Sequence, residues 1–501
     1  MKKYALLSVS DKTGLVELAQ FLQQQGQWQI ISSGGTAQLL QSHGIPVVKV
    51  SDYTGSPEIL GGRVKTLHPK VHGGILARRD KTEDGEDLLA NNINLIDLVV
   101  VNLYPFAQTI SKPSVPLAEA IEQIDIGGPT LLRSAAKNFQ FVTVLCDPSQ
   151  YAPFMAQQGQ TDVAQRRQLA ISAFRQVQVY DQMIADYLAG ETVYRLQGKP
   201  VQTLRYGENP HQSATWYKVS EQGWGSAQIL QGKELSYNNL LDLESARSII
   251  AEFTHDLPTA VIVKHNNPCG VATAPTIAEA YELAFNSDST SAFGGIVALN
   301  APIVDTVAQL LVGTFLECVV APACSPSAKE ILGKKPNLRV LVLPDLTTSP
   351  PETIKMIAGG FLVQESDSRE LTTANWQVVT AQQPDDFTLK ELLFAWKICR
   401  HVKSNAIVVS KNGTTLGIGA GQTNRVGSAR IALQQAGAQA QGAVLASDGF
   451  LPFADTVQLA GQAGITAIVQ PGGSVRDQES IDCANALGMS MVFTGQRHFL
   501  H

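Results

Sequence analysis

The chain contains no CxxC pair, no GxxxxGK[ST] loop, no complete GxGxxG turn and no apolar run of about 18 residues. Each absence removes a class of protein. The six cysteines, Cys146, Cys269, Cys318, Cys324, Cys399 and Cys483, are scattered; even the closest two, Cys318 and Cys324, form no pair of metal or disulfide spacing. Reduced, mostly buried thiols fit that distribution better than a disulfide frame or a zinc site. Without the Gly-Lys-Ser/Thr loop, a P-loop ATPase is excluded. Gly417-Ile418-Gly419-Ala420-Gly421-Gln422 lacks the last glycine of a dinucleotide fingerprint. Asn267-Pro268-Cys269-Gly270 matches half of a zinc-deaminase signature, but no second cysteine follows and no HxE precedes it. Positive charge is also short. The formal net charge is −6, so nothing draws the chain to nucleic acid or to an anionic membrane, and phosphate binding must come from local sites. The apolar start Tyr4-Ala5-Leu6-Leu7 is cut by Ser8, Ser10, Asp11 and Lys12 too early for a signal peptide. The cytoplasm is the expected location.

What is present is abundant core material. Hydrophobic residues make up 44% of 501 and charged residues 16%, too long a chain for one ordinary core. Strand-like Tyr4-Val9, helical Gly14-Gln25, and strand-like Gln29-Ile31, Leu95-Asn102 and Val142-Cys146 alternate in a βαβ rhythm. That rhythm predicts an α/β fold with a parallel sheet covered by helices. An amphipathic stretch, Val163-Tyr187, closes this part, and Gly198-Lys199-Pro200 breaks it. The domains are therefore placed at 1–198 and 199–501. In the second, Ala260-Val263, Gly294-Leu299, Val340-Leu343, Ala406-Ser410, Thr415-Ile418, Gly442-Ser447 and Ile465-Val469 read as strands, and Lys390-Arg400 as a helix. The proline-bearing stretch Pro344 to Pro351 divides it into two lobes near 344–375. The loops after Val263 and Ile418 share a glycine-containing texture, which hints at two related halves.

Two polar clusters carry the chemistry. In the first, Ser8-Val9-Ser10-Asp11-Lys12-Thr13-Gly14 and Ser32-Ser33-Gly34-Gly35-Thr36 are strand-to-helix turns. Small residues admit a ligand to the backbone, and a helix N-terminus favours an anion. Either turn alone reads as an ordinary cap; together they favour a phosphate site. Gly61-Gly62-Arg63-Val64-Lys65-Thr66-Leu67-His68-Pro69 adds Arg63 and Lys65, and Asn102-Leu103-Tyr104 follows a buried strand. Asp125-Ile126-Gly127-Gly128 leads into a helix carrying Arg133 and Lys137 on one face; a surface charge pair explains these two equally well. In the second cluster, Lys264-His265 follows an apolar strand and enters Asn266-Asn267-Pro268-Cys269-Gly270. A lone histidine is usually structural, but this pair suits a histidine general base beside a lysine electrostatic stabiliser. Arg205-Tyr206, Ser291-Ala292-Phe293-Gly294-Gly295, Lys403-Ser404-Asn405, Gln422-Thr423-Asn424-Arg425, Phe450 to Asp455 and the tail Arg497-His498-Phe499-Leu500-His501 are further polar groups. Alone, each reads as an ordinary loop; the aromatic and aliphatic residues of the tail suggest docking.

The ordered set SVSDKTG, GGRVKTLHP, NLYPF, QIDIGG, LRYGENPHQ, VKHNNPCG, KSNAI, GIGAGQTNR and the tail resembles the bifunctional AICAR transformylase/IMP cyclohydrolase family of purine biosynthesis, over nearly the whole chain. The resemblance implies a methylglyoxal-synthase-like cyclohydrolase domain followed by a transformylase of two cytidine-deaminase-like halves without catalytic metal. It implies a homodimer with transformylase sites at the interface, acting on small molecules and on neither nucleic acid nor membrane. The transformylase passes a formyl group from 10-formyltetrahydrofolate, a reduced folate, to the 5-amino group of AICAR; the cyclohydrolase closes formyl-AICAR to IMP with loss of water. A bound potassium ion is compatible with the family.

Carried onto matching positions, the cyclohydrolase residues are Ser10, Asp11, Lys12, Ser33, Gly34, Gly35, Thr36, Arg63, Lys65, Thr66, Asn102, Tyr104, Asp125, Ile126, Gly127 and Lys137. Lys137 is the first choice for moving the proton. The transformylase residues are Arg205, Tyr206, Lys264, His265, Gly294, Asn405, Arg425, Phe450, Asp455, Ser474 and Arg497. There His265 is the base, Lys264 the oxyanion stabiliser and Asn405 an orienting partner, with Arg205 and Arg425 for phosphate or carboxylate. Glu317 stands where the family often has aspartate, so the carboxylate is kept with a different reach. Two rival readings have specific consequences: a single-activity transformylase with a degenerate first domain, or a first domain that senses nucleotides. Neither requires the full set of Lys65, Tyr104, Asp125 and Lys137.

Overall fold

The computed structural model describes residues 2–190 and 193–501. Two compact units divide the chain, one ending at Arg195 and one running Leu196–His501. Among the described residues, no helix is long and apolar enough to cross a membrane.

The first unit is built on five parallel strands: β1 (Lys3–Val9), β2 (Trp28–Ser32), β3 (Val47–Lys49), β4 (Leu98–Asn102) and β5 (Thr143–Leu145). Their order is β3-β2-β1-β4-β5. β4 is buried at every position, because helices cover both faces of such a sheet. The chain winds outward from β1 to β3 and then crosses to β4. The strand order therefore reverses between β1 and β4, and a crevice opens at their C-terminal ends. The expected strand at Leu95-Asn102 begins only at Leu98, since the Ile96 N–H bonds the Gly74 carbonyl outside the sheet. The Val163–Ala189 helix starts on a capping box, with Asp162 and Gln165 bonding each other's backbone N–H.

The second unit begins with a two-stranded ribbon, β6 (Lys199–Leu204) and β7 (Ala214–Lys218). Its main sheet takes β8 (Gln228–Gln231), β9 (Thr259–Lys264), β10 (Asn267–Thr273), β11 (Ile296–Leu299), β12 (Cys318–Ala321) and β13 (Arg339–Val342). A separate hairpin follows, β14 (Glu352–Ile357) and β15 (Gly360–Glu365). The sheet then resumes with β16 (Gln377–Val378), β17 (Ile407–Lys411), β18 (Thr414–Gly419), β19 (Val444–Ser447), β20 (Ala467–Gln470) and β21 (Ser490–Phe493).

The twelve strands order as β16-β21-β20-β19-β17-β18-β10-β9-β11-β12-β13-β8. Read outward from the central β18-β10 pair, the two sides have the same connectivity, so two related halves share one sheet. One face carries a core common to both, made by the helices Tyr237–Ala251 and Asp386–Cys399 around Leu243, Ile250 and Trp396. The other face carries two separate cores, one per half.

The segment Asn266-Gly270, expected as a polar loop, is different. Asn267 pairs with Lys264, and Asn267–Thr273 is a strand antiparallel to β9. Only His265 and Asn266 form the turn. In each half the helix after the hairpin lies directly on strand backbone. A Cβ at Gly270 would sit 1.9 Å from the Ala284 carbonyl oxygen, and one at Gly417 would sit 1.9 Å from that of Ala432. The glycines of the Gly417-Ile418-Gly419 run thus serve packing. Because the obstacle is backbone, Gly417→Ala should destabilise the second unit by about 1–3 kcal/mol or more, read as a lowered urea midpoint.

Candidate active sites

A cavity of 640 Å³ opens at the strand-order reversal of the first unit. Ser10, Lys12, Ser33, Gly34, Gly35, Thr36, Arg63, Lys65, Thr66, Asn102, Tyr104, Asp125, Ile126 and Gly127 all line it. Asn102, at the end of β4 and only 7% exposed, shapes the first turn. Its Oδ1 accepts the N–H groups of Ser10 (2.6 Å) and Asp11 (2.9 Å), and its Nδ2 donates to the Asp11 carbonyl (2.9 Å). Thr36 closes the second turn onto the first, donating to the Val9 carbonyl at 3.0 Å and accepting from Lys12 Nζ at 3.0 Å. Burial lowers the proton affinity of Lys12. Ser33 is the N-cap of the Gly34–Ser42 helix but makes no side-chain capping bond, and Ser33, Gly34 and Gly35 bring the positive dipole end of that helix to the cavity wall.

Lys65 Nζ lies 3.6 Å from the Glu58 carboxylate and against the second turn, 3.4 Å from where a Cβ at Gly34 would be. Gly62 adopts φ 90°, and a Cβ there would lie 2.7 Å from Lys65 Cε; the loop must be bare for the lysine to lie across it. Asp125 stands before the Gly127–Lys137 helix, accepting the Gly128 N–H at 2.8 Å. Burial pushes its carboxyl above the ordinary 3.8, more strongly than its bonds to the N–H groups of Gly128, Tyr104 and Gly127 pull it down. The Tyr180 hydroxyl accepts the Asp125 N–H at 2.8 Å and donates to the Gln123 carbonyl at 2.9 Å. Sequence reasoning missed Tyr180, which lies mid-helix with nothing in its spacing to mark it.

Two expected residues fall outside this cavity. The Asp11 carboxylate turns back to the N–H (2.9 Å) and hydroxyl (2.7 Å) of Thr13, and the residue lines an adjoining cavity of 680 Å³. Lys137 is exposed at the C-terminal end of the Gly127–Lys137 helix. The helical rise puts it about 15 Å from the end that faces the cavity. Arg63 lines the cavity while paired with Glu122 at the surface.

In the second unit, the antiparallel pairing of β9, β10, β18 and β17 puts the β9–β10 turn, residues 403–406 and residues 420–425 on one sheet edge. Lys264 is the last residue of β9, and its Nζ donates to the Phe293 carbonyl at 2.7 Å, beside Gly294. His265 is exposed in the turn. Asn267 accepts the Lys403 N–H at 3.2 Å and so ties this turn to Asn405. Asn405 is held at both ends of its amide: Oδ1 accepts from Arg425 (2.8 Å) and Nδ2 donates to the Gln422 carbonyl (2.8 Å). A cavity of 320 Å³ here is lined by Ser404, Asn405, Gly421, Gln422, Thr423, Phe499 and His501; Lys264 and His265 are not among its walls.

Arg425 departs from expectation. It is 8% exposed and turned inward onto Ser447 (3.1 Å) and the fully buried Asp448, to which it is ion-paired. Its guanidinium orients Asn405 and is not presented to an anion. Asp448 was missed; its only sequence signal is its position directly after the apolar Val444–Ser447. The Glu317 carboxylate is taken by Arg339 at 2.6 Å. Phe450, Asp455 and Ser474 follow β19 and β20 at the same edge. Arg205 and Tyr206 follow the ribbon strand β6, in a loop tied to the Tyr237–Ala251 helix by Asn238 donating to the Glu208 carbonyl at 3.2 Å. The tail is docked. The Ser404 N–H donates to the Leu500 carbonyl (2.9 Å), Lys403 Nζ donates to that of His501 (2.8 Å), and His498 is 3% exposed with Nδ1 2.5 Å from Asp367. Arg497 remains exposed over the Phe499 ring, 4.7 Å away. Among the described residues there is no group of three or more His, Cys, Asp or Glu placed to hold a metal ion.

Comparison with known proteins gives a consistent result. The chain matches the family model described as AICARFT/IMPCHase bienzyme over residues 135–435 and that of the MGS-like domain over residues 14–130. It is 61% identical to the bifunctional purine biosynthesis protein PurH of Synechocystis sp. and 62% identical to that of Synechococcus elongatus, with 100% of this chain and of each relative covered.

The raised Asp125 carboxyl has a stability consequence. Between 3.8 and its raised value the folded state binds more protons than the unfolded one, so this residue's contribution falls as pH rises through that window. Asp125→Asn should therefore raise the thermal midpoint of the first unit at pH 8, with the gain vanishing toward pH 4; an equal gain at both values would contradict it.

Proposed function

The chain belongs to the AICARFT/IMPCHase bienzyme family, and from that premise we propose how its two sites divide the work. It is a bifunctional enzyme of purine biosynthesis that couples formyl transfer to AICAR with ring closure to IMP. The first unit closes the ring and the second transfers the formyl group.

The observation that carries the first assignment is the convergence of the Ser10–Lys12 turn, the Gly34–Ser42 helix start, Lys65, Tyr104 and Asp125 on one cavity. The two turns and the helix dipole take the substrate phosphate. The carboxamide nitrogen attacks the formyl carbon, a C–N bond forms, and the formyl oxygen leaves as water. Lys65 steadies the developing charge on that oxygen. Asp125, whose carboxyl burial makes easier to protonate than a free one, moves the proton in place of Lys137. Because the reaction is intramolecular, much of the rate comes from folding the substrate into one geometry.

In the second unit 10-formyltetrahydrofolate is the formyl donor. The 5-amino group of AICAR attacks the formyl carbon while His265 accepts the amine proton, and Lys264 stabilises the oxyanion. Asn405 keeps one amide hydrogen for substrate after binding Gln422. Two copies of the chain assemble: the β14–β15 hairpin exposes Met356 at 74% and Leu362 at 57%, more apolar surface than an isolated hairpin sustains in water. A partner would also complete a site whose cavity at Asn405 omits Lys264 and His265. The six cysteines are all free thiols, which fits work in the cytoplasm.

Lys65→Ala should slow ring closure by about 100-fold or more and leave formyl transfer intact; His265→Ala should do the reverse. Loss of both reactions in either folded variant would refute two separate sites. Removing Arg497–His501 should abolish formyl transfer, since the tail walls the Asn405 cavity; folate-dependent turnover at the wild-type rate would contradict that.

A further inference from the structure

The two central hairpins of the second unit make the same turn from different residues. β17–β18 closes on Asn412-Gly413, with φ 54° and 68°, the residue pair that a two-residue turn with both φ positive favours. β9–β10 closes on His265-Asn266, with φ 54° and 60°. Histidine enters that conformation more readily than most non-glycine residues but without the freedom of glycine, and contacts from a neighbouring helix hold it there.

Each turn is gripped by a carboxylate from the helix that precedes its hairpin. Glu391, on Asp386–Cys399, accepts the Gly413 N–H at 2.7 Å and the Ser410 hydroxyl at 2.6 Å. Asp242, on Tyr237–Ala251, accepts the Asn266 N–H at 2.7 Å and also meets the His265 N–H. Ser245, three residues along the same helix, lies 3.2 Å from the Asn266 amide. Burial pushes the Asp242 carboxyl up, so a group that costs something to bury is retained under this turn. The second half shows that Asn-Gly with a carboxylate is enough to build the hairpin. The first half spends the same position on an exposed imidazole.

We propose that Asp242 is a positioning residue for formyl transfer, fixing the His265 backbone in the left-handed region so that the ring stands out at the reacting edge. This rests on His265 acting as the base. Asp242→Asn in the full-length enzyme should lower the formyl-transfer kcat by about 10- to 100-fold with KM within about twofold, since small misplacements of a reacting group cost that much. Ring closure, which the first unit carries, should be unchanged, and the near-wild-type KM for formyl transfer checks that the second unit is folded. Asp242→Glu should recover most of the rate, as Glu391 shows that a longer carboxylate can hold such a turn. Glu391→Gln should lower the urea midpoint and leave kcat alone. An Asp242→Asn kcat equal to wild type, or an equal loss in Glu391→Gln, would overturn the proposal. Full formyl transfer by His265→Ala would instead overturn the reading beneath it.

Discussion

At the middle of the twelve-stranded sheet, β10 and β18 pair antiparallel through Ala272 and Thr414. The neighbouring Thr415 hydroxyl reinforces the join, accepting the Val271 N–H at 2.9 Å and donating to its carbonyl at 3.2 Å inside the core. Two halves, each with an open sheet edge, thereby become one sheet. An unpaired central edge would leave a row of backbone donors and acceptors exposed. The same pairing has a chemical effect, because it brings the start of β10 beside the end of β18. Lys264 and His265 from one half then share an edge with Asn405 and Gln422 from the other. Neither half contains that combination.

The halves have diverged in ways that their common connectivity makes visible. One central turn is an ordinary Asn-Gly and the other holds His265-Asn266, each gripped by a helix carboxylate. The buried Asp448 after β19 takes Arg425. At the equivalent place after β11, Asn300 donates to the Phe253 carbonyl (2.7 Å) and accepts the Thr259 N–H (2.7 Å). The charged pair is retained on the side that bears Asn405, where the amide must be held in one orientation; the neutral amide serves where only the chain needs anchoring.

The first unit solves a different problem. Its ligand groups come from successive strand ends, and no single one of them is strong. Asn102 ties the turn after β1 to the end of β4, and Thr36 ties the helix after β2 to the same turn. Burial then does opposite things to two ionisable groups in one cavity, lowering the proton affinity of Lys12 and raising that of Asp125. Both shifts have desolvation as their largest cause, because removing water disfavours the charged form.

Apolar runs were sufficient for four of the five described strands of the first unit, β3 being too short and exposed to show one, for the rhythm that makes its sheet parallel, and for seven of the sixteen described strands of the second, because burial on both faces writes such runs directly into the chain. The ordered motifs were sufficient for the family and for most cavity residues around Lys65. What they could not reveal was direction. Lys137 shares a helix with Gly127, yet the helix axis carries it to the far end; Arg425 sits in a polar motif, yet its guanidinium points into the core at Asp448. Asp242, Tyr180 and Asp448 act through partners 24, 55 and 23 residues away, a separation that local periodicity does not encode. Residue type and spacing determined which groups were available. Only the pairing of distant strands decided which of them meet, because side-chain direction is set by the packed backbone and not by the neighbours in sequence.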